Sequence, residues 1–554
     1  MHPKKITYSL ITLLLILFTF KVSAQVTDIV KADDITNPLH KANMGRIVFM
    51  TDTIPLAQST PATFLKERTL TPGSNLSMRA FLGNSLTNYQ HRLQPNLTVE
   101  QLNQGNYQFT FYVDGKQLYQ ENLHRGMGYN HNKNGRTTLA VKLISTKRED
   151  MWSRYLFTRF MVRGGGEDAL TTGTHTLKIE MRPYVTIPDV KVGEIIAQGE
   201  LKIIVPVVDM KAKTVQAIKP NSGWPVSADA YDKQLIAELN GKILQNKFKY
   251  ISGIVVVKNG KLLIEEYFNG SGRDTLHDPR SVGKTFASAT MGIAIHDGYI
   301  RSEQQMLKDF YPLKQYQNYS TQKDSVTIKS LLTMSSVFDA DDNSDDSPGN
   351  ENNMYPTENW VKFALDLKTD STKQAYKSWH YFTAGVVVLG DILNKSVPGG
   401  LDKYAASKLF KPLGITNYKW QYTPQNVPNT AGGIKLRALD FAKFGQLYKN
   451  NGMWNGKQIL PQSWVQKSFT KHMALPADTV GKGYYGYLFW NKTYTVNNKP
   501  YETWYCTGNG GNKIFVFKDT PLVIVVTATA YNEGYAHAQV DKMMQEYILP
   551  AVLK

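Results

Sequence analysis

Two periodicities divide the chain. From about Asp28 to Val208 apolar residues come in short alternating runs, among them Tyr107 to Val113, Thr137 to Ile144, His175 to Met181 and Leu201 to Val207. Alternation with a period of two predicts half-buried strands, and Asp114-Gly115 predicts the hairpin turn after the first of these runs. Polar or glycine-rich stretches such as Gly164-Gly165-Gly166 separate them, so residues 25–208 are expected to form an all-β, sandwich-like domain. No grouping of His, Cys or carboxylates there carries chemistry, and its expected role is that of a spacer or docking module. The polar segment 209–227, with Lys211, Lys213, Lys219, Pro220 and Gly223, predicts a linker.

The pattern then changes. A helical stretch around Ala228 to Gln245 is followed by a hairpin, Ile254 to Val257 and Leu262 to Phe268, turning at Asn259-Gly260. Near the end come two more strands, Ile514 to Phe517 and Leu522 to Thr527, and a helix from about Tyr535 to Leu553. Strands at both ends enclose a helical middle, Ser281 to about Lys467. The prediction for 228–554 is one α+β unit: an antiparallel sheet completed by both ends, with a helical lobe beside it.

At the start, Lys4 and Lys5 precede an apolar run, Ile6 to Phe20, and Val22-Ser23-Ala24 precedes Gln25. That is the layout of a secretory signal peptide covering 1–24, and the run is short for a membrane span, which needs about 20 residues. The protein is expected to be exported, periplasmic or secreted, from a bacterium, with no stable membrane insertion after cleavage. A balance of 64 Lys+Arg against 46 Asp+Glu gives a net charge of +18. The basic residues are scattered and form no nucleic-acid-binding motif, so nucleic acid is excluded as a partner. The lone Cys506 rules out an internal disulfide and a paired-cysteine metal site.

The candidate chemistry sits in the second part. There is no GxSxG elbow and no HExxH, and Gly283-Lys284-Thr285 is not a phosphate loop, because Asp278 stands where its first glycine belongs. With Ser281 included, the same residues read as an SxxK tetrad opening a helix that runs to about His296. Three residues turn a helix by about 300°, so Ser281 and Lys284 share a face. A desolvated, neutral lysine there can take the hydroxyl proton, and the helix N-terminus favours the negative charge that develops. The tetrad recurs at Ser320 to Lys323 and Ser468 to Lys471, but only the first follows a hairpin and opens a small, apolar helix face. Two later elements follow in order: Tyr381 before an apolar helix, with Thr383-Ala384-Gly385, and Cys506-Thr507-Gly508-Asn509 before a strand.

In this order the motifs resemble the serine hydrolase superfamily of class C β-lactamases, penicillin-binding carboxypeptidases and related esterases, over about Trp224 to Lys554. The Tyr-x-Thr-Ala-Gly and Gly-Asn-Gly-Gly-Asn forms look most like β-lactamase-related hydrolases of exported bacterial proteins, a group loosely similar to 6-aminohexanoate-oligomer hydrolases. The resemblance implies the β-lactamase/transpeptidase-like fold, an acylated nucleophile at Ser281 and proton transfer by Lys284 and Tyr381. It also implies an oxyanion hole from the N–H groups of Ser281 and Asn509, and substrate contacts from Thr383, Cys506, Thr507 and Gly508. Two positions depart from the pattern: Thr383 stands where many lactamases have asparagine, and Cys506 where a lysine or histidine would meet a substrate carboxylate. Efficient β-lactam hydrolysis is therefore not expected; an ester, or an amide lacking that carboxylate, fits better, with Lys513 or Arg437 as stand-in cations. The implied reaction is hydrolysis of a small molecule or short peptide with an ester or amide bond, with no metal or organic cofactor. The alternative is a penicillin-binding-like sensor without turnover. The acidic loop Asp339 to Asp346 is expected to be solvated at the site mouth rather than to bind calcium, and His380 to be a packing or hydrogen-bonding residue.

Overall fold

The computed structural model describes residues 26–71, 74–144, 152–206, 214–476 and 483–553. The expected signal peptide and the first part of the expected linker lie outside these residues.

Apolar side chains gather into two large cores, one in the N-terminal region and one in the C-terminal part, and the second takes in Trp224 of the expected linker, with Val215 and Ile218 packed against it. In the N-terminal region a three-stranded sheet is built from Ile47–Met50, Leu76–Phe81 and Thr138–Ile144. A second sheet runs in the order Glu67–Thr69, Ala197–Val205, Gly173–Val185, Asn106–Val113, Lys116–Asn122. Phe49, Met78 and Val141 of the first share a core with Phe109, Ile179 and Leu201 of the second. This is how two half-buried sheets satisfy their apolar faces. The turn at Asp114-Gly115 has both residues at positive φ, 50° and 80°, as the tight hairpin requires. Helices that the alternation did not reveal fill in beside the sheets. The clearest is Thr158–Arg163, whose Phe160 stacks on Phe111 at 4.5 Å.

The C-terminal part holds an eight-stranded antiparallel sheet. Its order begins with the hairpin Lys261–Tyr267 and Ile251–Lys258, then passes to Leu522–Ala528, Asn512–Phe517, Lys499–Gly508 and Trp490–Val496. Val255 faces Val525 and Val525 faces Ile514, so the two ends of the domain are zipped together at the sheet centre. The helix Ala438–Lys449 packs so closely on one face that a Cβ on Gly445 would lie 2.7 Å from Val523. Two further helices then set the site. Lys284–His296 follows a single 3-10 turn, Arg280–Gly283, and Thr383–Ser396 is buried from its first residue to Leu393.

Candidate active site

The turn Arg280–Gly283 carries Ser281 against the end of the strand Lys499–Gly508, and glycine makes the approach possible. A Cβ on Gly508 would lie 1.9 Å from the Pro279 carbonyl oxygen and 3.0 Å from Ser281 N. On the other side Gly432 adopts φ +141°, and a Cβ there would lie 2.5 Å from the Arg280 carbonyl oxygen. Arg280 itself has φ 54°, in the left-handed region, next to the candidate nucleophile. Its guanidinium sits 4.9 Å over the Tyr531 ring, and the Tyr531 hydroxyl donates to the Asp278 carbonyl at 3.0 Å.

One helical turn on, Lys284 is 1% exposed. Its Nζ hydrogen-bonds to Ser281 Oγ at 2.7 Å and to the Ala431 carbonyl oxygen at 2.7 Å. The Tyr381 ring lies 5.1 Å from the same Nζ. Burial pushes the Tyr381 phenol well above its ordinary range, and a hydrogen bond with Ser281 only partly opposes this. The phenol is therefore protonated at any physiological pH. Trp379 and Trp490 pack around it, with ring centroids 6.1 and 6.0 Å away.

Ser281, Tyr381, Thr507, Gly508 and Asn509 all line one cleft of about 1160 Å³. The Asn509 side chain is locked in a reciprocal pair with Asn532: its Nδ2 donates to Asn532 Oδ1 and its Oδ1 accepts from Asn532 N, both at 2.7 Å. Thr507 Oγ1 lies 3.3 Å from His537 Nδ1.

Two residues named from the resemblance do not reach the cleft. Cys506 is 1% exposed and accepts from Thr285 Oγ1 at 3.3 Å, inside the domain. Successive strand residues point to opposite faces, so with Tyr505 and Thr507 lining the cleft Cys506 must face inward. Burial pushes its thiol up to about 12. Thr383 is also fully buried, as the first residue of its helix, and contributes its N–H to Asp342 rather than a side chain to the cleft. Of the two candidate cations, Arg437 is paired with Asp440 at 2.7 Å and does not line the cleft. Lys513 does line it, directly across the strand pair from Thr507. Asp541 accepts from Lys513 and Lys492 at 2.7 Å each, so this corner holds two cations on one carboxylate. Burial, with Lys492 adding to it, lowers Lys513 to about 8.

Asp342 is the residue that sequence reasoning passed over. One carboxylate oxygen accepts from Thr383 N and the other from Glu351 N, both at 2.7 Å, and its own N–H donates to the Tyr381 carbonyl at 2.8 Å. It thus ties the segment carrying Tyr381 to the acidic loop. Burial, reinforced by Glu351, raises its carboxyl to about 7. The loop is not merely solvated: Asp341 and Asp342 line the cleft, and His380 Nδ1 lies 3.5 Å from Asp341 Oδ2. Nothing in a run of five aspartates marks which one is taken up by helix N-termini.

This fold is that of a family known by its sequence profile. The Beta-lactamase family model matches residues 248–544, more than half of the chain. The protein therefore belongs to the β-lactamase family of serine hydrolases, which takes in esterases, amidases and penicillin-binding proteins. Among curated proteins it is similar to Protein flp of Staphylococcus aureus (strain N315), 24% identical over 194 residues, 34% of this chain and 38% of that one. The chain thus spans well under half the length of the curated relatives it matches. Among solved structures it is similar to a Bacillus anthracis protein provisionally named a 6-aminohexanoate-dimer hydrolase, with 20% identity, 61% of this chain and 91% of that chain covered, and a TM-score of 0.48. A Bacteroides dorei DSM 17855 protein provisionally named a β-lactamase matches at 16% identity, over 56% of this chain and 98% of that chain, with a TM-score of 0.46.

Proposed function

We propose that the protein is an exported serine hydrolase that cleaves an ester or amide bond through an acyl-enzyme on Ser281. The observation that carries this is the 2.7 Å hydrogen bond between Lys284 Nζ and Ser281 Oγ, in a cleft also lined by Tyr381 and Asn509. Lys284 in its neutral form takes the proton as Ser281 Oγ attacks the carbonyl carbon. The backbone N–H groups of Ser281 and Asn509 receive the oxyanion, worth on the order of 3 kcal/mol per donor in other enzymes. Tyr381, held as a phenol by burial, protonates the leaving alcohol or amine, and is reprotonated from Lys284. Water then attacks the acyl-enzyme by the reverse proton path and releases the acid. Export rests on the apolar run Ile6 to Phe20 and the Val22-Ser23-Ala24 segment.

The substrate is a small molecule or short peptide. With Cys506 turned away from the cleft, the cation that faces it next to Thr507 is Lys513, already shared with Asp541. A carboxylate on the substrate is therefore not required, which favours simple esters and amides. Steady-state hydrolysis of an ester panel tests the reading. Ser281→Ala should abolish turnover with the fold intact, and Lys284→Ala or Tyr381→Phe should lower kcat by about 10²- to 10⁴-fold. Turnover near wild type in Ser281→Ala moves the nucleophile elsewhere. Tight binding of substrate analogues without turnover by the wild type makes the chain a sensor instead.

A further inference from the structure

The cleft that holds Ser281 is walled in part by the N-terminal region. Tyr129 and His131, at the start of the short helix Asn130–Gly135, both line it. Their rings are stacked, 5.5 Å between centroids and 10° between planes. The C-terminal part supplies Tyr355 and Trp360 to the same cleft, in edge-to-face contact at 5.4 Å, and the exposed Tyr422. An exposed tyrosine alone means nothing. Here a preformed stack from one region joins other rings from the other region in one cavity.

The placement is anchored on the loops of the site itself. The Arg125 guanidinium donates to Asn353 Oδ1 at 3.1 and 3.3 Å, and the Tyr155 hydroxyl bonds to the Asn352 side chain. Gly126 packs so tightly that a Cβ there would lie 2.1 Å from the Asn352 carbonyl oxygen. These asparagines follow Glu351, whose N–H is held by Asp342. At a second place Arg163 Nη2 donates to the Asn532 carbonyl at 2.9 Å, and Asn532 is the partner that locks Asn509. The N-terminal region therefore grips the two loops that position Tyr381 and Asn509.

We propose that the N-terminal region is part of the active site, and that Tyr129 and His131 form a distal subsite for a planar ring carried by the substrate beyond its scissile bond. This rests on the reading of Ser281 as the nucleophile. The spacer role expected from the sequence gives way to substrate selection. The ring lies flat on the stacked pair, adding a contact made equally in ground state and transition state, which affects KM rather than kcat.

The test uses the full-length protein and three esters: vinyl acetate, which has no ring; vinyl 6-phenylhexanoate, with the ring on the acyl side; and 6-phenylhexyl acetate, with it on the alcohol side. In the Tyr129→Ala, His131→Ala double variant, KM for at least one ring-bearing ester should rise about five- to tenfold with kcat unchanged. Vinyl acetate kinetics should stay within about twofold, and Tyr129→Phe should behave as wild type. Inhibition of vinyl acetate hydrolysis by 6-phenylhexanoate and 6-phenylhexanol reads the binding step alone and should weaken in parallel for the matching side. Unchanged KM for both ring-bearing esters, or an equal change for all three, overturns the proposal. Hydrolysis of vinyl acetate that survives Ser281→Ala overturns instead the reading on which it rests.

Discussion

Gly508→Ala isolates the claim that backbone proximity builds this site. Gly508 has an ordinary φ, so alanine is not strained by its own backbone; the whole effect comes from what its Cβ meets. That atom would lie 1.9 Å from the Pro279 carbonyl oxygen and 3.0 Å from Ser281 N, and both neighbours are backbone atoms that cannot rotate aside. Relief requires the strand end and the Ser281 turn to part by about 1 Å. A misplacement of about 1 Å at reacting groups costs about 10²-fold in rate, which is roughly 2.7 kcal/mol of transition-state stabilisation. Overpacking should also lower stability by about 1–3 kcal/mol. The assay pairs kcat/KM on vinyl acetate with the rate of fluorophosphonate labelling and thermal unfolding. Gly272→Ala is the control, since nothing lies within 4 Å of the added methyl; it should change stability by less than about 0.5 kcal/mol and leave activity alone. A Gly508→Ala protein that labels and turns over at the wild-type rate refutes the argument that this approach sets the oxyanion site.

Three further outcomes follow from buried charge. Glu266 is fully buried, accepting from Gln216 N at 2.9 Å and Asn240 Nδ2 at 3.0 Å, and burial raises its carboxyl from 4.5 to about 7. The folded protein thus holds a proton in that window that the unfolded chain has lost, so this contribution is full below about 4.5 and falls away as pH rises through 7. Glu266→Gln removes the titrating group, so its stability relative to the wild type should be higher at pH 8 than at pH 4 by on the order of 3 kcal/mol; the same difference at both pH values would contradict it. Asp541→Asn leaves Lys492 and Lys513 without their carboxylate and should cost about 3–5 kcal/mol in chemical denaturation at neutral pH. Burial opposes its charge but the two lysines hold the Asp541 carboxyl well below the ordinary range, so the penalty should shrink as pH falls below 3.8; a pH-independent penalty counts against the ion cluster. Asp342→Asn keeps one of the two N–H acceptors and removes a carboxyl that titrates at about 7 beside Lys284, Tyr381 and Glu351. It should lower kcat about tenfold or more and erase an inflection near pH 7 in the kcat/KM profile, and an unchanged profile assigns that inflection elsewhere.

Much of this fold was legible because local chemistry and period agreed. Asn259-Gly260 between two apolar runs predicts a hairpin, and both residues adopt positive φ there, 52° and 72°. The helix expected around Ala228 starts only at Lys233, where the Asp232 carboxylate accepts from Gln234 N and Leu235 N. The N-terminal helix Leu86–Leu93 escaped notice because its buried face includes Asn88, Gln90 and His91, polar groups that hydropathy assigns to the surface. Of the site, the tetrad spacing puts Ser281 and Lys284 within one turn, and the two do meet at 2.7 Å. Position alone did not single out Tyr381, which came from the order of motifs in the family the chain resembles, and whose ring lies 5.1 Å from Lys284 Nζ. Cys506 was misplaced because motif order was given more weight than strand phase: with Thr507 taken as cleft-facing, alternation alone turns Cys506 inward. Asp342 had no local mark, since only the meeting of two N–H groups selects it among its neighbours. Tyr129 and His131 lie about 150 residues before Ser281, exposed in the N-terminal region, and no motif links them to it.

The account turns on Ser281 being an activated nucleophile, and intact-protein mass spectrometry reads that directly. The wild type, exposed to a fluorophosphonate, should gain one adduct that Ser281→Ala lacks while keeping the same unfolding temperature. A parallel incubation with a penicillin reports whether the cleft also accepts a β-lactam ring. A wild type that gains no mass from the fluorophosphonate, or a Ser281→Ala protein that labels as fast as the wild type, contradicts the central claim.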